Sequence, residues 1–119
     1  MHDRLRRVCF IDYDREIALV ADLVKRDGSH QILGIGRLVK EHGANEAEFS
    51  VLISDPWQGK GLGTALLKLL VSIGHEERLQ RIVGRIASEN LMMKRVSEEV
   101  GFTLHFNQAA NEWFAEIAL

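Results

Sequence analysis

The chain reads Gln58-Gly59-Lys60-Gly61-Leu62-Gly63-Thr64 at the point where a strand-like segment gives way to an apolar helical pattern. Glycines at alternate positions let the backbone approach a ligand closely, because they carry no Cβ. The first N–H groups of a helix have no partner within it, and the helix dipole adds partial positive charge there. The run therefore predicts a cradle for a diphosphate, with Lys60 adding charge and the Gln58 amide adding a donor. A turn that serves only tight strand-to-helix packing is the alternative.

Two better-known phosphate loops do not match this run. The Walker loop needs four residues between its first glycine and Gly-Lys-Ser/Thr, whereas Lys60 is followed directly by Gly61. The dinucleotide fingerprint is G-x-G-x-x-G, and Gly59, Gly61 and Gly63 are spaced one residue too tightly for it. The sequence thus indicates a different class of diphosphate loop.

Composition limits the classes of protein to which the chain can belong. Its 119 residues fit one domain, residues 1–119, and 46% hydrophobic with 27% charged residues is ordinary for a globular protein. A net charge of −2 favours no nucleic-acid partner. No apolar run approaches a membrane span, and the first residues lack the apolar stretch of a signal peptide.

Cysteine and histidine usage indicates neither a disulfide nor a metal site. The single Cys9 favours a reducing cytoplasm, and its apolar surroundings predict a small buried residue rather than a nucleophile. The five histidines show no paired metal-ligand spacing, so we expect surface positions and no bound metal.

Periodicity predicts an α+β fold with a mixed sheet. Residues 1–12 are interpreted as a short helix, and residues 17–24, 31–40 and 46–54 as an antiparallel meander. An apolar stripe from Leu62 predicts a helix ending at 76–78. The strand at 81–87 follows this crossover and should run parallel to the third strand.

The last third of the chain predicts a capped helix and a closing hairpin. Asn90 can cap the helix, Gly101 suits its left-handed end, and Phe102 can fold back on it. Residues 103–106 and 112–118 should pair as strands. The predicted order is β-β-β-α-β-α-β-β, with only the middle strand pair parallel. We expect this pair to separate at its end, with a β-bulge at residues 52–54.

This order, the glycine run and the Asn90…Gly101-Phe102 segment resemble the GNAT family of N-acetyltransferases over most of the chain. A closer likeness is to the acetyltransferase domain of bacterial protein-lysine acetyltransferases. It is carried by Ile11-Asp12-Tyr13-Asp14-Arg15-Glu16, Ile32-Leu33-Gly34, Ala47-Glu48-Phe49 and Asp55-Pro56-Trp57-Gln58-Gly59. The chain differs in that the family's opening strand and first helix have no counterpart before Met1. The resemblance implies a GNAT-like α+β fold with an N-terminal strand and helix missing.

The resemblance implies acetyl-CoA as co-substrate. The pantetheine arm carries amides and can pair with the third strand as an added strand. Lys94 and Arg95 could reach the 3′-phosphate, or they are solvated helix charges. Asn90 could bond the pantetheine or sulfur, or serve only as a cap. The implied cofactor-binding residues are Leu52, Ile53, Gln58, Gly59, Lys60, Gly61, Leu62, Gly63, Thr64 and Asn90.

The catalytic candidates follow from strand alternation and from the resemblance. Glu48 and Ser50 should lie on the face of the third strand away from the helices, facing an acceptor cleft, and the likeness makes Glu48 the general base. Glu46 is the reserve, and a solvated glutamate is the alternative. A main-chain N–H at Leu52 or Ile53 would face the oxyanion. Ser97 falls where many relatives of this family have a tyrosine that acts as the general acid. The alternative is a serine on the helix surface without a catalytic role.

The sequence therefore predicts an acetyl-CoA-dependent N-acetyltransferase that acts on a primary amine by direct attack in a ternary complex, with protein lysine as the favoured acceptor. A small amine is a second acceptor class. A non-catalytic acyl-CoA sensor and a degenerate structural domain are the other readings. Trp57 is expected to anchor the loop, Trp113 to be core or interface, and exposed strand edges make a homodimer plausible.

Overall fold

The computed structural model describes the backbone of Arg4–Asp12 and, in full, residues 16–41, 43 and 45–119. Its strands and helices, in chain order, are β1 Arg4–Asp12, β2 Glu16–Val24, β3 His30–Lys40, β4 Glu46–Ile53, a 3₁₀ turn Asp55–Trp57, α1 Leu62–Glu76, β5 Arg81–Ala87, α2 Leu91–Val100, β6 Thr103–Asn107 and β7 Glu112–Ala118.

The strands form one sheet in the order β1-β2-β3-β4-β5-β7-β6. Among the described residues only β4 and β5 pair in parallel, and the other neighbours are antiparallel. Helix α1 connects β4 to β5, as expected for a parallel crossover, and α2 precedes the hairpin of β6 and β7. The predicted α+β mixed sheet and the predicted parallel pair are confirmed.

The N-terminal prediction of a helix is wrong, because β1 pairs residue by residue with β2 from Arg4–Val24 to Asp12–Glu16. The edge of the meander supplies hydrogen bonds that a local sequence pattern cannot reveal. A strand therefore precedes the meander, contrary to the expectation that the opening strand has no counterpart. In the described part of the chain, no α-helix comes before α1. Residues 13–15, which carry part of the likeness to lysine acetyltransferases, lie outside the described residues.

The core lies between α1, α2 and one face of the sheet. Leu66, Leu67 and Leu70 of α1 are at most 1% exposed. They pack on the sheet where β3 carries glycine, since a Cβ at Gly36 would contact Leu66 and Leu70. The opposite face of the sheet carries charged side chains, such as Arg37, Glu48 and Arg85, beside the exposed apolar Val39 and Leu52. It is called the open face below.

The end signals of α2 are where the sequence places them. The Asn90 side chain accepts from the Met93 N–H at 3.1 Å. Gly101 is left-handed with φ 115°, and its N–H bonds to the Glu98 carbonyl while the Phe102 N–H bonds to that of Ser97. This is a Schellman ending, which satisfies the last helical carbonyls. Phe102 is buried and meets Phe49 edge-on at 5.0 Å between ring centroids, so the helix end is attached to β4.

Candidate functional site

A gap opens between β4 and β5 because their parallel ladder is short. It covers only the pairs Glu46–Arg81, Ala47–Ile82 and Glu48–Val83. Beyond them β4 continues along β3, whereas β5 continues along β7 to Ala87. Glu48 is thus the last residue of β4 before the strands part.

Alternation of the β3–β4 hydrogen bonds shows which amides face this gap. Ser54 donates to Leu33 at 2.9 Å, and Glu41 donates to Glu46 at 2.9 Å, so these opposed pairs are hydrogen-bonded ones. Hydrogen-bonded and non-hydrogen-bonded pairs alternate in an antiparallel ladder. The N–H of Leu52 therefore points toward β3, whereas the N–H of Ile53 points toward the gap.

The β-bulge expected at residues 52–54 is not there. The β3–β4 register runs unbroken from Gly34–Ile53 to Lys40–Ala47. A register shift lies instead between β2 and β3, where the pairs Ala21–Gly34 and Asp22–Ile32 leave Leu33 without a β2 partner. The gap needs no bulge, because β4 and β5 separate by following different neighbours.

The glycine run has the backbone shape that a close-approach loop requires. Gly59 and Gly61 have φ of 74° and 85°, and a Cβ at either would meet nothing within 4 Å. Gly61 caps α1, whose first internal bond runs from the Ala65 N–H to the Gly61 carbonyl. The amides of residues 62–64 therefore come before the hydrogen-bonded part of the helix.

A cleft of about 460 Å³ joins this loop to the end of β4 and to α2. Thr64 and Glu99 meet across it, with Oγ1 to Oε2 at 3.3 Å. Of the two cations considered for a 3′-phosphate, Arg95 lines the cleft, whereas Lys94 lies 4.9 Å from the Trp113 ring centroid. The lining residues are Ile53, Gln58, Gly59, Gly61, Gly63, Thr64, Met92, Arg95, Val96 and Glu99.

The Gln58 amide has a different partner from the one expected. Its nitrogen donates to the Ile53 carbonyl at 3.1 Å and to Asp55 Oδ1 at 3.2 Å. Gln58 therefore ties the loop to the end of β4 rather than offering a free donor. Lys60 lies 5.9 Å from the ring centroid of Trp57, which packs against the core from a half-buried position.

Glu48 lies on the open face, as alternation predicts, because its neighbours Ala47 and Phe49 are buried on the helix side. It accepts from Arg85, with Nε to Oε2 at 3.2 Å and Nη2 to Oε1 at 3.5 Å. This hydrogen bond and the Glu48 charge raise the pKa of the Arg85 guanidinium above its usual range. Glu48 also borders a 220 Å³ hollow with Val39, Glu41, Phe49 and Ser50.

The remaining candidates lie away from the cleft. Ser97 is 0% exposed, and its hydroxyl has no hydrogen-bond partner among the described residues. Ser97 does not line the cleft, whereas its neighbour Val96 does. Asn90 is exposed, and its oxygen caps α2. Glu46, the reserve base, is held by Arg81 at 3.0 Å, deeper in the parallel ladder than Glu48.

Sequence reasoning missed two features of the site. Met92, Val96 and Glu99 wall the cleft, together with Arg95. Their spacing marks one stripe of α2, a signal that was present in the sequence, although nothing local shows what the stripe faces. The Arg85–Glu48 pair joins strands 37 positions apart in the chain, and no local pattern reports such a contact.

Among the residues whose side chains are described, 16–41, 43 and 45–119, no group of three or more His, Cys, Asp or Glu side chains is placed to bind a metal. Within that same part of the chain, no helix is both long and apolar enough to cross a membrane. The expected burial of Cys9 concerns a side chain that the structure does not describe, and His2 and His42 lie outside the described residues.

Comparison with known proteins yields curated relatives of modest identity. Residues 2–103 match the model of an acetyltransferase (GNAT) domain family. The chain is 28% identical over 71 residues to Acetyltransferase Pat of Mycolicibacterium smegmatis, covering 59% of this chain and 21% of that protein. It is 29% identical over 92 residues to Acetyltransferase PA5475 of Pseudomonas aeruginosa, covering 77% and 49%. The chain thus spans half or less of these two relatives.

Solved structures show the same fold. The GNAT domain of S. lividans PAT matches with a TM-score of 0.76 at 22% identity, covering 92% of this chain and 64% of that one. A domain from Methanocaldococcus jannaschii also matches at 0.76, with 18% identity, covering 91% and 70%. A spermidine N-acetyltransferase from Vibrio cholerae matches at 0.69, with 20% identity, covering 89% and 66%. Because residues 2–103, which are most of the chain, match the family model, the chain belongs to the GNAT acetyltransferase family.

Proposed function

We propose that residues 1–119 form one N-acetyltransferase domain, which transfers acetyl from acetyl-CoA to a primary amine by direct attack in a ternary complex. The observation that carries this proposal is the cleft that joins the left-handed glycine loop to the end of β4. A diphosphate at the start of α1 would lie in this cleft, and the rest of the CoA chain would pass Ile53 to reach the β4–β5 gap.

The cleft supplies the parts that a CoA thioester needs. The amides of residues 62–64 and the dipole of α1 favour the diphosphate, and Arg95 adds a cation from α2. The gap-facing edge of β4 beyond Glu48 offers main-chain groups to the pantetheine amides. Asn90, Leu52 and Ser97 are assigned no direct contact in this proposal.

Glu48 is the proposed general base. A free lysine amine has a pKa near 10.4, so only about one molecule in 2,500 is neutral at pH 7. A carboxylate at the mouth of the gap can take the ammonium proton directly or through a water. The nitrogen lone pair then attacks the thioester carbonyl and the C–N bond forms. As the tetrahedral intermediate collapses, the C–S bond breaks, the nitrogen loses its second proton to give the neutral amide, and the leaving thiolate takes up a proton.

The Ile53 N–H is the proposed donor to the oxygen of the tetrahedral intermediate. It points toward the gap, whereas the Leu52 N–H points toward β3. One such donor can contribute about 2.7–4 kcal/mol to transition-state stabilisation. A main-chain group has the advantage that the sheet holds it in place before the reaction begins.

Protein lysine is the proposed acceptor, in the cytoplasm, on the strength of the sequence likeness to lysine acetyltransferases. A solved neighbour is a spermidine N-acetyltransferase, so a small amine is the second acceptor class. Parallel assays on lysine peptides and on polyamines distinguish the two. A homodimer that covers a sheet edge is compatible with either acceptor.

Acetyl-CoA binding and turnover test the proposal. Calorimetry should show binding, and Glu48→Gln should lower kcat at pH 7 about 100-fold or more while leaving the Kd for acetyl-CoA within about twofold. Glu46→Gln is the matched control, because Glu46 lies two residues away on the same face. Wild-type turnover in Glu48→Gln would remove Glu48 as the base.

A non-catalytic acyl-CoA sensor is the second candidate function. The observations that favour it are the ion-paired state of Glu48 and the buried position of Ser97. Tight CoA binding without transfer to any amine would select this function. Absence of CoA binding would leave only a structural domain.

A further inference from the structure

The Arg85–Glu48 contact bears on how an acceptor amine reaches the base. Glu48 is the last β4 residue paired to β5, and Arg85 lies two residues past its partner Val83. The guanidinium bonds both carboxylate oxygens of Glu48 and thereby occupies the positions that an incoming ammonium would use. The Arg85 guanidinium therefore lies at the place on Glu48 where, under the proposed function, the ammonium group of the acceptor would bind.

Arg85 also has a second carboxylate within reach. Glu112 of β7 lies on the open face, since it is opposite Ala87 while Arg85 is opposite Phe114. Charge interactions with Glu112 and, more weakly, with Glu41 reach Arg85 in addition to those with Glu48. A guanidinium displaced from Glu48 would thus keep an acidic neighbour.

We propose that Arg85 is a positioning residue that pairs with Glu48 before the acceptor binds and moves to Glu112 when an acceptor ammonium binds Glu48. This inference rests on the proposed function, because it takes Glu48 as the acceptor-side base. Arg85 competes with cationic acceptors and selects those that can displace it. A neutral or weakly charged molecule gains nothing at Glu48 and leaves Arg85 in place.

The exposure of the pair sets the size of the effect. The Arg85 side chain is 62% exposed and that of Glu48 is 34% exposed, so water screens their attraction. Exposed pairs of this kind are weak, and removing the competitor should tighten amine binding by about 1.5- to 5-fold. A residue with only a structural role would not improve binding when it is removed.

The matched control is Arg37→Ala. Arg37 is also an exposed arginine on the open face, but its side chain pairs with Glu16 of β2. Its removal changes the net charge of the face by the same amount without freeing Glu48. Arg85→Lys keeps the charge and loses the two-pronged contact, so its effect should fall between those of wild type and Arg85→Ala.

The experiment is an NMR titration with N-acetyl-lysine methylamide, with the norleucine analogue as the uncharged probe. We expect Arg85→Ala to lower the Kd for the lysine probe by about 1.5- to 5-fold and Arg37→Ala to leave that Kd unchanged. Glu112→Gln should raise the Kd in a protein that has Arg85 and should not raise it in the Arg85→Ala variant. In the wild type, the Arg85 Nε–H signal should shift with the lysine probe alone.

An unchanged or raised Kd in Arg85→Ala, or no spectral response to the lysine probe in any variant, overturns the inference. Acetyl-transfer assays on the same proteins separate it from the proposed function. If the amine binds the wild type, and binds Arg85→Ala more tightly, but is acetylated by neither protein, the proposed function alone is removed. A wild type that acetylates the probe while Arg85→Ala changes neither Kd nor KM removes the Arg85 inference alone.

Discussion

Replacing Gly61 with alanine should destabilise the protein, whereas the same change at Gly63 should not. Gly61 has φ 85° and open space around its Cβ position, so the cost of alanine there is backbone strain without a clash. A left-handed conformation costs an L-residue about 1–2 kcal/mol. Gly63 lies within α1, where a Cβ would meet Val96 and Ile53 at ordinary distances of 3.6 and 3.7 Å. Alanine at that position should gain about 0.5–1 kcal/mol of helix stability.

Urea unfolding followed by tryptophan fluorescence and circular dichroism measures both variants. Gly61→Ala should lower the urea midpoint, and Gly63→Ala should raise it, with the m-value unchanged in each. In thermal unfolding, the Tm should shift in the same directions by about 3–6 °C per kcal/mol. Equal effects of the two substitutions, or a neutral Gly61→Ala, would refute the argument that the two glycines serve different purposes. A lower acetyl-CoA affinity in Gly61→Ala alone would further tie the left-handed turn to the diphosphate.

Two further predictions concern the core beside the site. Gly84→Ala should destabilise by about 1–3 kcal/mol in urea unfolding, because a Cβ there would overlap the Phe49 ring, and an unchanged midpoint would contradict that packing. Ser97→Ala should keep full kcat and gain up to about 1 kcal/mol of stability, since its buried hydroxyl lacks a partner among the described residues. A large loss of kcat in Ser97→Ala would instead restore this serine as a catalytic candidate.

Much of the fold could be predicted because its signals are local. The apolar stripe of α1, the Asn90 cap and the Gly101 ending depend on residues within a few positions of one another. β1 could not be predicted in this way. Its residues become a strand by pairing with β2, and the same letters can be read as a short helix when that partner is left out.

The candidate site divides along the same line. Alternation alone placed Glu48 on the face away from the helices, because successive side chains of a strand point to opposite sides. It could not show that Glu48 ends the parallel ladder, or that Arg85 holds it. Gln58 was expected to serve a ligand and instead braces Ile53, a partner that is set by how the chain turns after β4.

The amino-acid order by itself determined the glycine loop, the helix that follows it and the alternation that exposes Glu48, since each depends on residue type or on spacing within one element. Only the tertiary structure decided which amide of β4 faces the gap, which stripe of α2 walls the cleft and which cation stands at Glu48. Those choices depend on register between strands and on helix placement. Both are set by the joint packing of residues distant in the chain, and no single segment carries that information.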